Sequence, residues 1–260
     1  MQTLLREKVV LVSGGSAGLG AGIARAAARE GAAAVAITGR RPEPGEKLVA
    51  ELTEQGHAAL FVRADVADVG QAQAAVAATV AGFGRVDCLV NAAGLTSRGT
   101  LLDTTPELFD AHVAVNLRGP FFTMQAVVRD LLRRGAPGTI VNIITASELG
   151  GQPYLAPYVA AKAGLAGLTR NAAHAHRWDR IRINGLDIGW TETDAEDAVQ
   201  RAFHGARDGW LEEAARTLPM GRLGQVDEIA DMVVFLLSDR SGVVTGSVLD
   251  WDQNVAGAHD

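Results

Sequence analysis

The chain has 260 residues, 48% of them hydrophobic but only 5% aromatic, so Ala, Val, Leu, Ile and Gly must supply most of the core packing. A net charge of −6 without any basic stripe excludes an electrostatic nucleic-acid binder, and Arg129–Arg134 reads as a short, solvated basic helix end. A single cysteine excludes an intrachain disulfide and a multi-cysteine metal site, and no apolar run reaches the roughly 18 residues of a membrane span.

Met1–Val12 runs straight into a strand-like stretch with no long apolar signal core, which together with the lone thiol predicts a cytoplasmic protein. The apolar run Lys8–Ser13 predicts the first strand, and Gly18–Glu30, followed by Gly31, the first helix. Strands are predicted at Val35–Gly39 and Ala58–Arg63, with helices at Glu46–Gln55 and Val69–Gly82. The strand Val86–Asn91 carries Cys88 as an inert buried thiol. One long helix is predicted over Pro106–Arg134, opened by Pro106 after Thr104 and Thr105, and Pro137-Gly138 leads into a strand at Gly138–Thr145. The helix Pro157–Trp178 carries His174 and His176, whose i, i+2 spacing turns the rings to different sides and argues against a zinc site. Two strands, Ile181–Leu186 and Gly246–Asp250, and a helix at Val226–Leu237 complete the alternation. Trp190–Met220 breaks the rhythm; its acids, Phe203, His204 and Trp210 read as a helical flap over the strand ends.

Alternation of this kind, with strands apolar through most of their length, predicts a mostly parallel seven-stranded sheet covered by helices on both faces. Right-handed crossovers then make an α/β, doubly wound, Rossmann-type three-layer sandwich, one domain over residues 1–260 with 190–220 as its flap.

Ser13-Gly14-Gly15-Ser16-Ala17-Gly18-Leu19-Gly20 follows the first strand and opens a helix. Glycines there permit a tight turn and let backbone amides and the helix N-terminus approach a pyrophosphate. The second strand ends Ile37-Thr38-Gly39-Arg40-Arg41, with no acid before Glu43. An acid would hold the ribose 2′-hydroxyl of NAD, whereas Arg40 and Arg41 can grip a 2′-phosphate, so NADP is favoured and NAD is the less favoured cofactor. Tyr158 and Lys162 stand at i and i+4 on one helix face, where an ammonium favours the phenolate and brings a phenol toward useful proton-transfer chemistry.

At these residues the sequence resembles the short-chain dehydrogenase/reductase family, of its shorter single-domain type, along essentially the whole chain. The likeness rests on the Ser13–Gly20 turn, Asp65-Val66, Asn91-Ala92-Ala93-Gly94, Asn116, Tyr158-x-x-x-Lys162 and Gly189. It implies that Gly14, Gly18 and Gly20, with Ser16 and Leu19 beside them, line the pyrophosphate, and that Asp65 and Val66 border the adenine. Asn91, Ala92, Ala93 and Gly94 would flank the cofactor, although Asn91 could equally brace strands and Asp65 cap its own turn. Tyr158 would be the general acid in reduction and base in oxidation. Lys162 would hold the nicotinamide ribose and tune Tyr158, and Asn116 would position a relay water.

The sequence departs from the family pattern at three places. Thr145 stands where the family has a serine that binds the substrate oxygen; it keeps the hydroxyl and adds a methyl group, with Ser147 as the alternative hydroxyl. Ile188-Gly189, after Asp187, replaces Pro-Gly and restores a backbone amide beside the expected nicotinamide. Thr193, with Thr191 as its neighbour, matches the threonine that meets the carboxamide. The usual C-terminal Asp-Gly-Gly reads Asp252-Gln253-Asn254.

The expectation is an NADP(H)-dependent oxidoreductase passing hydride between nicotinamide and a small-molecule carbonyl or secondary alcohol. Its alternatives are a non-catalytic dinucleotide-binding sensor or scaffold and an NAD-dependent alcohol dehydrogenase. By position, Gln152, Trp190, Phe203 and Trp210 join Thr145, Ser147 and Tyr158 around the substrate, with Glu148, Tyr154 and His204 near them. Their polarity points to a sugar or polyol. No metal is expected, and the family resemblance implies a homo-oligomer, tetramer or dimer.

Overall fold

The computed structural model describes residues 3–255. In chain order its elements begin with β1 (Val9–Ser13), α1 (Gly18–Arg29), β2 (Ala34–Gly39), α2 (Pro42–Glu54), β3 (Ala59–Arg63), α3 (Val69–Phe83) and β4 (Cys88–Asn91). They continue with α4 (Pro106–Val113), a π-helical turn (Ala114–Arg118), α5 (Gly119–Arg134), β5 (Gly138–Ile143), a 3-10 turn (Ala146–Leu149) and α6 (Ala156–His176). After β6 (Ile181–Ile188) come α7 (Asp194–His204), α8 (Trp210–Ala215), α9 (Val226–Leu237) and β7 (Val248–Trp251).

The strands form one seven-stranded sheet in the order β3-β2-β1-β4-β5-β6-β7. Every pairing is parallel, so the mostly parallel sheet expected from the sequence is parallel throughout the described residues. Parallel register brings the carboxyl ends to one edge: Ser13 lies beside Asn91, Asn91 beside Asn142, and Ile188 beside Trp251. The strand order reverses between β1 and β4, which opens a crevice at that edge.

The apolar runs explain the layers. Val10 and Val12 pack with Ile23 of α1 and Ile229 and Val233 of α9 on one face, while Leu11 and Leu89 pack with Val127 and Leu131 of α5 on the other. Helix ends follow local chemistry: Asp68 caps α3 by accepting from the Gln71 N–H at 2.9 Å, Thr105 caps α4, and Gly84 ends α3 with φ of 82°.

Several boundaries differ from expectation. The helix over Pro106–Arg134 is broken into α4 and α5 by the π turn, an insertion that leaves hydrophobic periodicity almost unchanged. α2 starts at Pro42 because proline suits the first helical position. β5 stops at Ile143, and Thr145 instead opens the 3-10 turn. The basic end Arg129–Arg134 is not simply solvated: Arg134 is 20% exposed, donates to Val86 O and, with Arg133, pairs with buried Asp130. Cys88 is buried as expected, and burial pushes its thiol up to about 12. Among the described residues no helix is long and apolar enough to cross a membrane, and no cluster of potential ligands could hold a metal ion.

Candidate active site

The glycine turn between β1 and α1 is shaped by close approach. Gly14 has φ of +80°, and a Cβ there would sit 2.5 Å from Ala93 N, so the turn lies against the residues following β4. A Cβ on Gly20 would meet Gly14 O at 2.1 Å, which lets α1 start immediately behind the turn. The Gly14 N–H donates to Thr38 Oγ1 at 3.2 Å and ties the turn to β2. Ala17 at the start of α1 offers no side-chain acceptor to the first-turn amides, which leaves them to another acceptor. Gly18 faces open space and, with Ser16, lines a cleft of about 840 Å³ whose far wall includes Thr193 and Trp210. Open amides, a cradle without side chains and an adjoining cleft fit a dinucleotide's pyrophosphate. Leu19 is half-buried beside them. Arg40 and Arg41 are exposed at the end of β2, and neither guanidinium has a hydrogen bond or ion pair among the described residues.

The remaining predicted cofactor residues divide by what already occupies them. Asp65 Oδ1 accepts from Ala67 N–H at 3.0 Å and caps its own turn, while Val66 packs against Gly119. Asn91 donates to Asn142 Oδ1 at 2.8 Å, and Asn142 donates to Thr169 Oγ1 at 2.9 Å, so this side chain braces β4 to β5 and α6. Its own Oδ1 has no partner among the described residues. Ala92 N–H donates to Ser13 O at 2.9 Å; Ala93 meets the glycine turn, and Gly94 is exposed beside Asn116. Ile188 ends β6, and Gly189 N–H is engaged with Trp251 O at 3.0 Å. Thr191 donates to Gly189 O at 2.9 Å, and Thr193 caps α7 by accepting from Glu196 N–H at 3.0 Å.

Tyr158 and Lys162 share a face of α6 beside the end of β5. The Lys162 ammonium, 3% exposed, donates to Ile143 O at 2.7 Å and lies 5.8 Å from the Tyr158 ring centre. Burial pulls that ammonium down to about 8. Burial also pushes the Tyr158 phenol up to about 12, against the pull of a hydrogen bond with Thr145 and the charge of Arg98. Against the expectation that the Lys162 ammonium lowers the phenol, desolvation of the phenolate is the larger effect. Asn116, fully buried in the π turn, accepts from Leu95 N–H at 3.0 Å and donates to Leu95 O at 3.0 Å. Thr145 accepts from Ser147 N–H at 3.3 Å, and Ser147 donates to Gln152 Oε1 at 3.2 Å, so Ser147 is turned to its own loop.

The residues expected around a substrate are held more loosely. Trp190 donates to Glu196 Oε1 at 2.8 Å, Trp210 donates to Asp197 Oδ1 at 2.7 Å, and the two rings are 6.1 Å apart. Phe203 is exposed on α7. His204 meets the Tyr154 ring edge-on at 4.8 Å, and Arg98 stacks over Tyr154 while donating to His204 Nε2 at 3.1 Å. Gln253 donates to Arg222 O and accepts from Met220 N–H, both at 2.8 Å, so the polar residues in place of glycines tie down the chain beyond α8.

Three residues escaped the sequence reading. Arg98 gave no signal in a loop of mixed composition. His112 is a lone histidine within a helix, indistinguishable in sequence from a packed core residue. Asp187 was visible only as a neighbour of Ile188; it is 1% exposed, and neither carboxylate oxygen has a hydrogen-bond partner among the described residues. Burial and the charges of Glu148 and Asp250 push it up to about 7.

Residues 14–255 match a protein-family model described as enoyl-(acyl carrier protein) reductase. An L-rhamnose 1-dehydrogenase (NAD(P)(+)) from a Sphingomonas species is 36% identical over 248 residues, spanning 95% of this chain and 95% of the relative. A gluconate 5-dehydrogenase from Burkholderia cenocepacia, solved with NADP and tartrate, superposes with a TM-score of 0.89 at 32% identity, covering 99% of this chain and 98% of that one. An actinorhodin polyketide ketoreductase solved with NADPH gives a TM-score of 0.91 at 31% identity, covering 97% and 98%.

Proposed function

The chain belongs to the short-chain dehydrogenase/reductase family and is an oxidoreductase of that family, and from that premise we propose that it transfers hydride between NADP(H) and a hydroxylated carbonyl or secondary alcohol, such as a sugar or polyol. The observation that carries the reading is the cluster at the β5 edge: a buried ammonium anchored on Ile143 O, one helical turn from the Tyr158 phenol, with Thr145 just beyond the end of β5.

The glycine turn and the α1 amides would bind the pyrophosphate, with Arg40 and Arg41 on the 2′-phosphate. Lys162 would hold the nicotinamide ribose, and Thr193 the carboxamide. Bound cofactor supplies hydride and, when oxidised, a positive charge. Such a charge favours the phenolate and offsets the burial that holds Tyr158 near 12. The substrate oxygen would sit between Tyr158 and Thr145. Both donate to it as negative charge develops, which stabilises the transition state more than the ground state. Tyr158 gives up its proton in reduction and recovers one by way of Lys162 and a water held near Asn116.

A flap over 190–220 would close on the substrate, and the whole chain would act as one domain. A hydroxylated substrate is supported by the rhamnose and gluconate dehydrogenases among the relatives, and polar Gln152, Glu148 and His204 would face it. The family reading also implies a homo-oligomer, for which exposed Phe109 and Phe121 on α4 and α5 offer apolar surface.

The test is a panel of sugars, aldonates, polyols and β-ketoacyl thioesters, assayed in both directions with phosphorylated and unphosphorylated cofactor. Turnover of a hydroxylated compound with preference for NADP(H) is expected. A nicotinamide absorbance that stays constant across the panel would remove the enzymatic reading.

A further inference from the structure

The unassigned polar group closest to this chemistry is His112 on α4, which is fully buried. Its partners fix its chemical form. Leu95 N–H can only donate and Leu95 O can only accept, so the bonds to them, both 3.0 Å, orient the Asn116 amide with Oδ1 on the N–H and Nδ2 on the carbonyl. The second Nδ2 hydrogen then points at His112 Nδ1, 3.2 Å away, which must accept it through a lone pair. On the other side of the ring, Nε2 lies 3.1 Å from Ser97 O, an obligate acceptor, and 3.0 Å from Ser97 Oγ. Nε2 therefore carries the hydrogen. Two independent constraints give the same neutral tautomer.

The same ring meets Tyr158 edge-on, with centroids 6.2 Å apart and an interplanar angle of 73°. We propose that His112, as a neutral Nε2–H imidazole, is a positioning residue that locks Asn116 and braces Tyr158, and that its protonation releases both. A protonated ring would set an N–H against the Asn116 amide hydrogens. The amide cannot turn to meet it, because a flipped Asn116 would oppose Leu95 O with an oxygen and Leu95 N–H with a hydrogen. The role of the released parts in turnover rests on the function proposed above; the tautomer and the lock do not.

The groups facing the ring leave protonation little support. Tyr158 is the titratable side chain presented by α6, the loop presents uncharged Leu95 and Ser97, and Arg98 turns its guanidinium to Tyr154 and His204. Burial accordingly holds His112 below its ordinary value near 6.5, with the Ser97 carbonyl pulling weakly upward. A depressed folded-state value means that the associated stability is complete above about 6.5 and is lost as pH falls through the folded value.

The experiment compares the full chain with His112→Gln, whose amide oxygen can accept from Asn116 without titrating, and His112→Leu, which cannot accept. Nitrogen NMR of the wild-type protein at neutral pH is expected to find Nδ1 unprotonated and Nε2 protonated. Melting temperature should fall as pH drops below 6.5 more in wild type than in His112→Gln. The acid limb of kcat should shift to lower pH in His112→Gln, while His112→Leu should lose about tenfold in kcat at every pH. Protonated Nδ1 at neutral pH, or an identical acid dependence of melting in wild type and His112→Gln, would overturn the inference whether or not a substrate is known. Correct tautomer and melting behaviour without any turnover would instead count against the proposed function alone.

Discussion

Two regions border the carboxyl edge of the sheet, and they are built by opposite means. Around β5 and the π turn, Asn116 and Lys162 are 0% and 3% exposed, and both are bonded to backbone atoms of neighbouring elements. In the segment Trp190–Met220, α7 has no buried residue and is held by Trp–carboxylate bonds and by Arg201 pairing with Asp197 and Asp208. Displacing a buried group costs about 1–3 kcal/mol through the partner left unsatisfied. An exposed ion pair contributes about 0–1 kcal/mol. Buried groups are thus fixed by the core, whereas the Trp190–Met220 segment can be moved cheaply, as the flap proposed for it would require.

Substitutions can break or sharpen this contrast. The largest effect belongs to the buried side: Tyr158→Phe should lower kcat by about 10²- to 10⁴-fold while cofactor affinity, measured by NADPH fluorescence, stays near wild type. Next comes the rim of the glycine turn. Arg40→Ala with Arg41→Ala should weaken NADP⁺ binding about 10- to 100-fold and leave NAD⁺ binding unchanged, as read by calorimetry.

Asp187 probes the cost of burial itself. With its folded value raised from 3.8 to about 7, the associated stability is fully present below about 3.8 and is lost as pH rises through about 7. Asp187→Asn removes that loss, so its melting temperature relative to wild type should be roughly 2–4 °C more favourable at high pH than at low. The gain should build as pH rises from about 3.8 and be complete above about 7. The smallest effect is expected on the exposed side, where Trp210→Ala should raise KM about 2- to 10-fold with little change in kcat. A collapse of kcat there would place the segment with the fixed machinery instead.

The fold was legible because its strands are short apolar runs and its turns carry glycine and proline at the right places; Lys8–Ser13 and Val226–Leu237 match their elements to within a residue. The π turn was not legible, since one extra residue in a helical repeat does not disturb the pattern of apolar positions. Nor were α7 and α8 resolved in advance: α7 has no buried residue and α8 buries Ala214 alone, so neither carries a run of core residues that would fix its bounds. At the site, spacing pointed to Tyr158 and Lys162 and the family resemblance to Asn116 and Thr145, but only coordinates reveal which polar atoms are already spent. Thr191, Thr193, Ser147 and Asp65 each proved to be bonded within their own turn. His112 is distinguished by burial against Ser97 and Tyr158, and Asp187 by burial without a hydrogen-bond partner among the described residues; neither property is written in local sequence.

The central claim is that a half-buried, partly desolvated phenol becomes acidic when coenzyme binds, and the chain offers a clean way to observe it. Only two tyrosines are present, so in Tyr154→Phe protein the tyrosinate absorbance reports Tyr158 alone. Titrated without coenzyme, the phenol should ionise near 12; with saturating NADP⁺, ionisation should move down by more than one pH unit. An ionisation that ignores NADP⁺ would contradict the account.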